Sequence, residues 1–140
     1  LTARQLNENY VIKVLKSLLD GVKKASVLGL SFKGIPPTSD VRDSYAITII
    51  NYLKANNIDV SAFDPMVFEN DFETLGVRRD NSLESAFKEK DLVIIQNNNH
   101  IFQRMDLNRY SALQNENSKI LDLWSMHNKE NILNSTYIAL

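Results

Sequence analysis

The sequence predicts an α/β chain built on a mostly parallel sheet. Two observations carry this. Short apolar runs, Ala25 to Leu30, Val60 to Phe63 and above all Leu92 to Ile95, read as strands, and the last is apolar on both faces, as a buried parallel strand is. Between and around them lie stretches with helical spacing or helix-capping signals. Strands alternating with helices give a parallel sheet covered on both faces, a three-layer arrangement.

Taken in order, Leu6, Tyr10, Val11, Val14, Leu15, Leu18 and Leu19 predict an amphipathic helix over residues 2–20, ended by Asp20-Gly21. It precedes the first strand and is free to pack on an upstream domain. Ala25 to Leu30 is that strand. Pro36-Pro37 forbids helix or central strand, so residues 31–39 are loop. Ser39 or Asp40 caps the next helix, whose apolar positions are Tyr45, Ile49, Ile50 and Leu53. Asn56-Asn57 turns the chain into the strand Val60 to Phe63, stopped by Asp64-Pro65. A short helix over 67–74, an edge strand at Val77-Arg78 and a helix capped by Ser82 lead to Leu92–Ile95. Asn97-Asn98-Asn99 is a polar loop, Asp106 to Leu113 is helical, and Ile120-Leu121 and Tyr137 to Ala139 are strands. A strand order of 3-2-1-4-5-6 puts the switch point at the end of the first strand, beside Phe32 and Lys33 and facing the Asn run.

Composition narrows the function classes. Of 140 residues 44% are apolar and 24% charged, which suits one globular domain with a core of its own. A net charge of −1 supplies no field for nucleic acid or an anionic membrane. No cysteine is present, which excludes disulfides, thiolate metal sites and a Cys nucleophile within these residues and is compatible with a reducing cytosol. No apolar run approaches the roughly 18 residues of a membrane span, and no signal peptide is visible. The chain opens on Leu1 and at once enters a helical pattern, as a fragment of a longer polypeptide does.

The chemistry-bearing residues gather at the predicted switch point. Lys33, on a rigid strand end, suits a phosphate or a sugar hydroxyl. The segment Gly29-Leu30-Ser31-Phe32-Lys33-Gly34 lacks the G-x-G-x-x-G spacing. The sheet is therefore Rossmann-like without the usual phosphate loop for NAD. Gly29 is read as a point of close helix–strand packing, and Gly34 as the residue that lets the loop turn toward a ligand. Asp40, Arg42 and Asp43 flank a helix start, where an acid complements the dipole, and a mainly structural role explains Asp40 and Arg42. Asp64 would hold ribose hydroxyls in a dinucleotide site; without the glycine loop, a turn role suffices. His100 has no second His or acid at ligand spacing. The Asn97–Asn99 amides either bond ligand hydroxyls or cap the following helix. Trp124 reads as a packed aromatic near a strand end.

Gly29-Leu30-Ser31-Phe32-Lys33, a short loop, Thr38-x-Asp40-x-Arg42-x-Ser44 and Asp64-Pro65 together resemble a known domain. It is the C-terminal, UDP-binding domain of the UDP-glucose/GDP-mannose dehydrogenases, nucleotide-sugar 6-dehydrogenases that include a UDP-N-acetyl-hexosamine branch. The resemblance runs from about Leu6 to about His127, dense in the first half and thin after Asp122. It implies that residues 1–21 end a central linker helix and that 22–140 form the UDP-sugar-binding domain. It implies Phe32, Lys33, Gly34 and Arg42 as UDP-sugar-binding residues. Arg4 and Asn7 resemble an Arg-x-x-Asn near the end of the linker helix. Two positions depart from the pattern: Ser39 stands where an acid is usual, and Trp124 where much of the family has a nucleotide-sugar-binding Arg.

The resemblance further implies a cytoplasmic, homodimeric parent enzyme. It would oxidise the C6 hydroxyl of a UDP-sugar to a uronic acid for bacterial surface polysaccharide, such as capsule, using two NAD in succession. NAD would be bound mainly by an N-terminal domain, and the nucleophile would be a Cys upstream. Both lie outside these residues, so the fragment alone is expected to be inactive. Its partners are then a UDP-sugar and the rest of its own polypeptide. A stand-alone nucleotide-sugar-binding module is the alternative. A receiver-like signalling domain would need clustered acids where Phe32-Lys33 stands.

Overall fold

A computed structural model describes residues 3–34, 37–42, 44–129 and 132–140, with side chains from residue 7 onward. The expectations for Pro36, for Asp43 and for the Leu6 and Arg4 side chains lie outside the described residues. The chain runs α1 (Ala3–Leu18), β1 (Lys24–Leu28), α2 (Tyr45–Ala55), β2 (Asp59–Phe63), α3 (Glu69–Leu75), β3 (Arg78–Arg79), α4 (Leu83–Phe87), β4 (Leu92–Ile95), α5 (His100–Arg104), α6 (Leu107–Ser111), β5 (Lys119–Asp122) and β6 (Thr136–Ala139).

All strand pairs are parallel, and the sheet order is β3-β2-β1-β4-β5-β6, as the sequence predicts. Alternate residues of the central strands feed two cores. Ala25, Val27, Leu92, Ile94 and Leu121 meet Ile49, Ile50 and Leu53 of α2 on one face. Leu28, Val93, Ile95 and Ile120 meet Phe87 of α4 and Phe102 of α5 on the other. Each Val, Leu, Ile or Phe among them contributes about 1.5–3 kcal/mol by leaving water. That is why both strand faces had to be apolar. Helix α1 joins the first core through Val11 and Leu15 and so packs on this domain. Among the described residues no helix is long and apolar enough to cross a membrane.

Two expected details are corrected. Neither Ser39 nor Asp40 caps α2. Ser44 does, its Oγ accepting from Ala46 N at 3.0 Å, so α2 starts later than expected. Asp40 turns instead onto its own neighbour, accepting from Arg42 N at 2.9 Å. The expected helix over 106–113 is the shorter α6, capped by Asp106, and a separate helix, α5, precedes it. Asn99 caps helix α5, its side chain accepting from Ile101 N at 3.0 Å.

Candidate functional site

The register fixes which residues emerge at the carboxyl edge. Leu28 pairs with Phe63 and Ile95, and Ile95 pairs with Asp122. The next residues, Asp64, Gly29, Gln96 and Leu123, therefore stand in one row across four strands. The switch point lies between β1 and β4, the place where open α/β sheets bind ligands.

The inner part of this edge is closed by its own side chains. Asp64, buried, takes Leu30 N at 2.8 Å and Ser31 N at 3.0 Å on Oδ2, and Met66 N at 2.9 Å on Oδ1. Backbone N–H groups just after the first strand are the ones that receive a phosphate in a dinucleotide site. Here a carboxylate of the chain takes their hydrogens. Gly29 has φ +96°, and a Cβ on it would lie 2.5 Å from Cγ of Asn97. Gly29 is thus required by its backbone and by the Asn97 amide, not by helix–strand packing. Asn97 Nδ2 donates to Ser31 Oγ at 3.0 Å, and Gln96 Nε2 donates to the Gly29 and Ser31 carbonyls at 2.9 and 3.1 Å. These residues do not fit a dinucleotide pyrophosphate.

Just outside this closed edge lies an open cleft of about 450 Å³ between α1 and the strand ends. Phe32, Tyr45 and Trp124 line it, with Asn7 and Tyr10 contributed by α1. Lys33 stands beside it, its Nζ 5.1 Å from the centroid of the Phe32 ring. Trp124 is 45% exposed, not packed away, and its Nε1 donates to the Gln96 carbonyl at 2.8 Å. Its backbone is held by Asp122, which is fully buried and accepts from Trp124 N, Met126 N and the Tyr137 hydroxyl at 2.9, 2.8 and 2.6 Å. Burial, and then this hydrogen bond to Asp122, push the Tyr137 pKa up.

The four residues singled out for ligand binding are thus split. Phe32 lines the cleft and Lys33 flanks it. Gly34 lies against the Asn98–Asn99 backbone, so close that a Cβ would sit 1.8 Å from Asn99 N, and its own N–H reaches Asn98 Oδ1 at 2.9 Å. Close approach, more than turning, requires this glycine. Arg42 is 86% exposed and forks onto Asp40 at 3.0 and 2.8 Å. Those bonds hold the Asp40 carboxyl at about 2, well below the usual carboxylate range. His100 is exposed at the start of α5, and among the described residues no group of three acids or His is gathered as metal ligands would be. Tyr10, Tyr45 and Gln96 were missed from sequence. The signal for Gln96 was its place directly after an apolar strand, in register with Gly29.

The sequence profile of the UDP-glucose/GDP-mannose dehydrogenase family, UDP binding domain, matches residues 26–129. The chain belongs to this family. As its UDP-binding domain, the chain is 34% identical over 112 residues to a UDP-glucose 6-dehydrogenase of Rhizobium meliloti, covering 78% of this chain and 24% of that protein. It is 28% identical over 109 residues to a UDP-N-acetyl-D-mannosamine dehydrogenase of Methanococcus vannielii, covering 73% and 24%. The chain thus spans about a quarter of the length of these relatives. The solved UDP-N-acetyl-mannosamine dehydrogenase of Staphylococcus aureus shares the fold, with TM-score 0.74 and 23% identity over 94% of this chain and 30% of that one.

Proposed function

We propose that this UDP-binding domain holds the nucleotide-sugar of an NAD-dependent dehydrogenase that oxidises the C6 hydroxyl of a UDP-sugar to the uronic acid, supplying surface polysaccharide synthesis. One observation carries the reading. The edge where a Rossmann sheet takes a pyrophosphate is filled by Asp64 and Asn97, while an aromatic cleft flanked by Lys33 opens beside it. This sheet is then a nucleotide-sugar site and not a second NAD site. NAD accepts the hydrides in another domain of the intact enzyme, and no residue of this chain takes part in that transfer. The domain contributes binding energy remote from C6, which positions the reacting carbon. In this reading Phe32 and Lys33 meet the ligand, Gly34 sets their loop against Asn98, and Arg42 stays with Asp40 at the rim.

Calorimetric titration of the chain tests this. UDP-glucose or a UDP-N-acetyl-hexosamine should bind saturably, and NAD should not. Lys33→Ala should weaken UDP-sugar binding by about 10- to 100-fold, the loss of one charge-assisted hydrogen bond of about 1.5–3 kcal/mol. In the intact enzyme the same change should leave NAD binding nearly unchanged. Tight NAD binding by this chain, or equal loss of both ligands in Lys33→Ala with the fold intact, would overturn the assignment.

A further inference from the structure

Resting on that reading, we propose that Trp124 is the stacking residue for the nucleotide base, and that the base, rather than the sugar, occupies the cleft against α1. The cleft offers ring faces more than hydrogen bonds. Tyr10, Phe32, Tyr45 and Trp124 line it. Of its two amides, Asn7 stands on α1, and Gln96 already has Nε2 engaged by the Gly29 and Ser31 carbonyls, while the Gln96 backbone carbonyl takes the Trp124 indole N–H. A nucleotide base has a flat π-face that any aromatic ring accepts. The charge lies outside this aromatic lining, at Lys33 beside Phe32. A ligand with a flat ring at one end and a diphosphate at the other matches that order.

The indole is also held. Nε1 is tied to Gln96 O, and the backbone of the residue is pinned through Asp122, so the ring does not have to be ordered when a ligand arrives. Trp124 occupies the position at which the resemblance led one to expect an arginine. A stacking face there recognises the ring of the ligand instead of its charge.

Trp124 is the only tryptophan of the chain, so its emission reports on the cleft directly. The 140-residue chain is titrated with UDP, uridine and glucose 1-phosphate, following emission and, in parallel, heat of binding. UDP and uridine should quench the emission, with a midpoint that matches the calorimetric one, and glucose 1-phosphate should not. Trp124→Ala and Trp124→Leu should each weaken UDP binding about tenfold or more, while Trp124→Phe keeps most of it. Quenching by glucose 1-phosphate without uridine would place the sugar at Trp124 and overturn the proposal. Calorimetric binding of UDP with unchanged emission, and full affinity in Trp124→Leu, would overturn stacking and leave the domain a UDP-sugar binder. Absence of UDP binding by calorimetry would remove the functional reading itself and this proposal with it.

Discussion

Two neighbouring stretches of one sheet edge treat their polar groups in opposite ways. At Leu30 and Ser31 the backbone N–H groups are met from inside by the Asp64 carboxylate, and the space above Gly29 is taken by the Asn97 amide. A few residues on, Phe32, Tyr45 and Trp124 leave their rings on an open cleft. The difference shows how one fold serves two ligand classes. A parallel sheet of this order offers an anion site after its first strand by default. When a carboxylate of the chain takes that site, a ligand at the same edge meets side chains instead of backbone, and its selection passes to the side chains on offer.

The sharpest way to break the comparison is Gly29→Ala. The residue would adopt φ +96° and drive its Cβ into Asn97, so the loss should be about 3 kcal/mol or more in urea unfolding. Pairing it with Asn97→Ala should relieve the overlap but not the backbone strain. The double variant should therefore lose less than the sum of the single ones. A loss below about 1 kcal/mol for Gly29→Ala would mean that the inner edge is not closed as described.

Asp64→Ala tests the carboxylate itself. Three backbone N–H groups lose their acceptor, and a loss of about 2–3 kcal/mol is expected, with Asp64→Asn milder because one acceptor oxygen remains. If the carboxylate stands where an anion would bind, inorganic phosphate should raise the unfolding midpoint of Asp64→Ala more than that of the native chain. An equal shift in both would show that the N–H groups form no anion site once uncovered.

The open side depends on Asp122, and Tyr137→Phe probes its support. Removing the hydroxyl takes one donor from a fully buried carboxylate and should cost about 1–1.5 kcal/mol. The sign of its pH dependence is fixed by the raised Tyr137 pKa: the folded state keeps the proton more tightly than the unfolded chain. The stabilisation is complete below the ordinary tyrosine value of 10.0 and declines as pH rises above it. Unfolding midpoints from pH 8 to 11 should thus fall more steeply in the native chain than in Tyr137→Phe.

How much of this was legible in the sequence follows from the range of each interaction. Strands such as Leu92–Ile95 and the order of the sheet were legible because burial on two faces leaves a local apolar signature. The cap of α2 was not, because Ser39, Asp40 and Ser44 are all capping residue types, and only the Asp40 turn onto Arg42 decides among them. Helix α5 carries a single buried residue, Phe102, too little for a period to show. Phe32 and Lys33 were singled out from their place at a strand end and from the resemblance, and of the two Phe32 lines the cleft. The cleft they flank was hidden, because Tyr10, Tyr45 and Trp124 come from α1, α2 and the segment after β5. The closure at Asp64 and Asn97 joins residues more than thirty positions apart and leaves no local pattern.

The smallest expected effect belongs to Arg42 and Asp40, which lie on the loop between the two stretches. The pair is solvent-exposed, and water and salt screen such a pair so that it adds little to stability. Arg42→Ala should therefore leave stability at pH 7 nearly unchanged, while moving the Asp40 titration. The folded-state value of about 2, against an ordinary 3.8, means that the contribution is present above pH 3.8 and is lost as pH falls toward 2. Carboxyl NMR shifts should give an Asp40 midpoint near 2 in the native chain and one closer to 3.8 in Arg42→Ala. If UDP binding weakened as strongly in Arg42→Ala as in Lys33→Ala, the guanidinium would have to leave Asp40 for the ligand. The boundary between the closed edge and the open cleft would then lie beyond Asp40 rather than at Phe32.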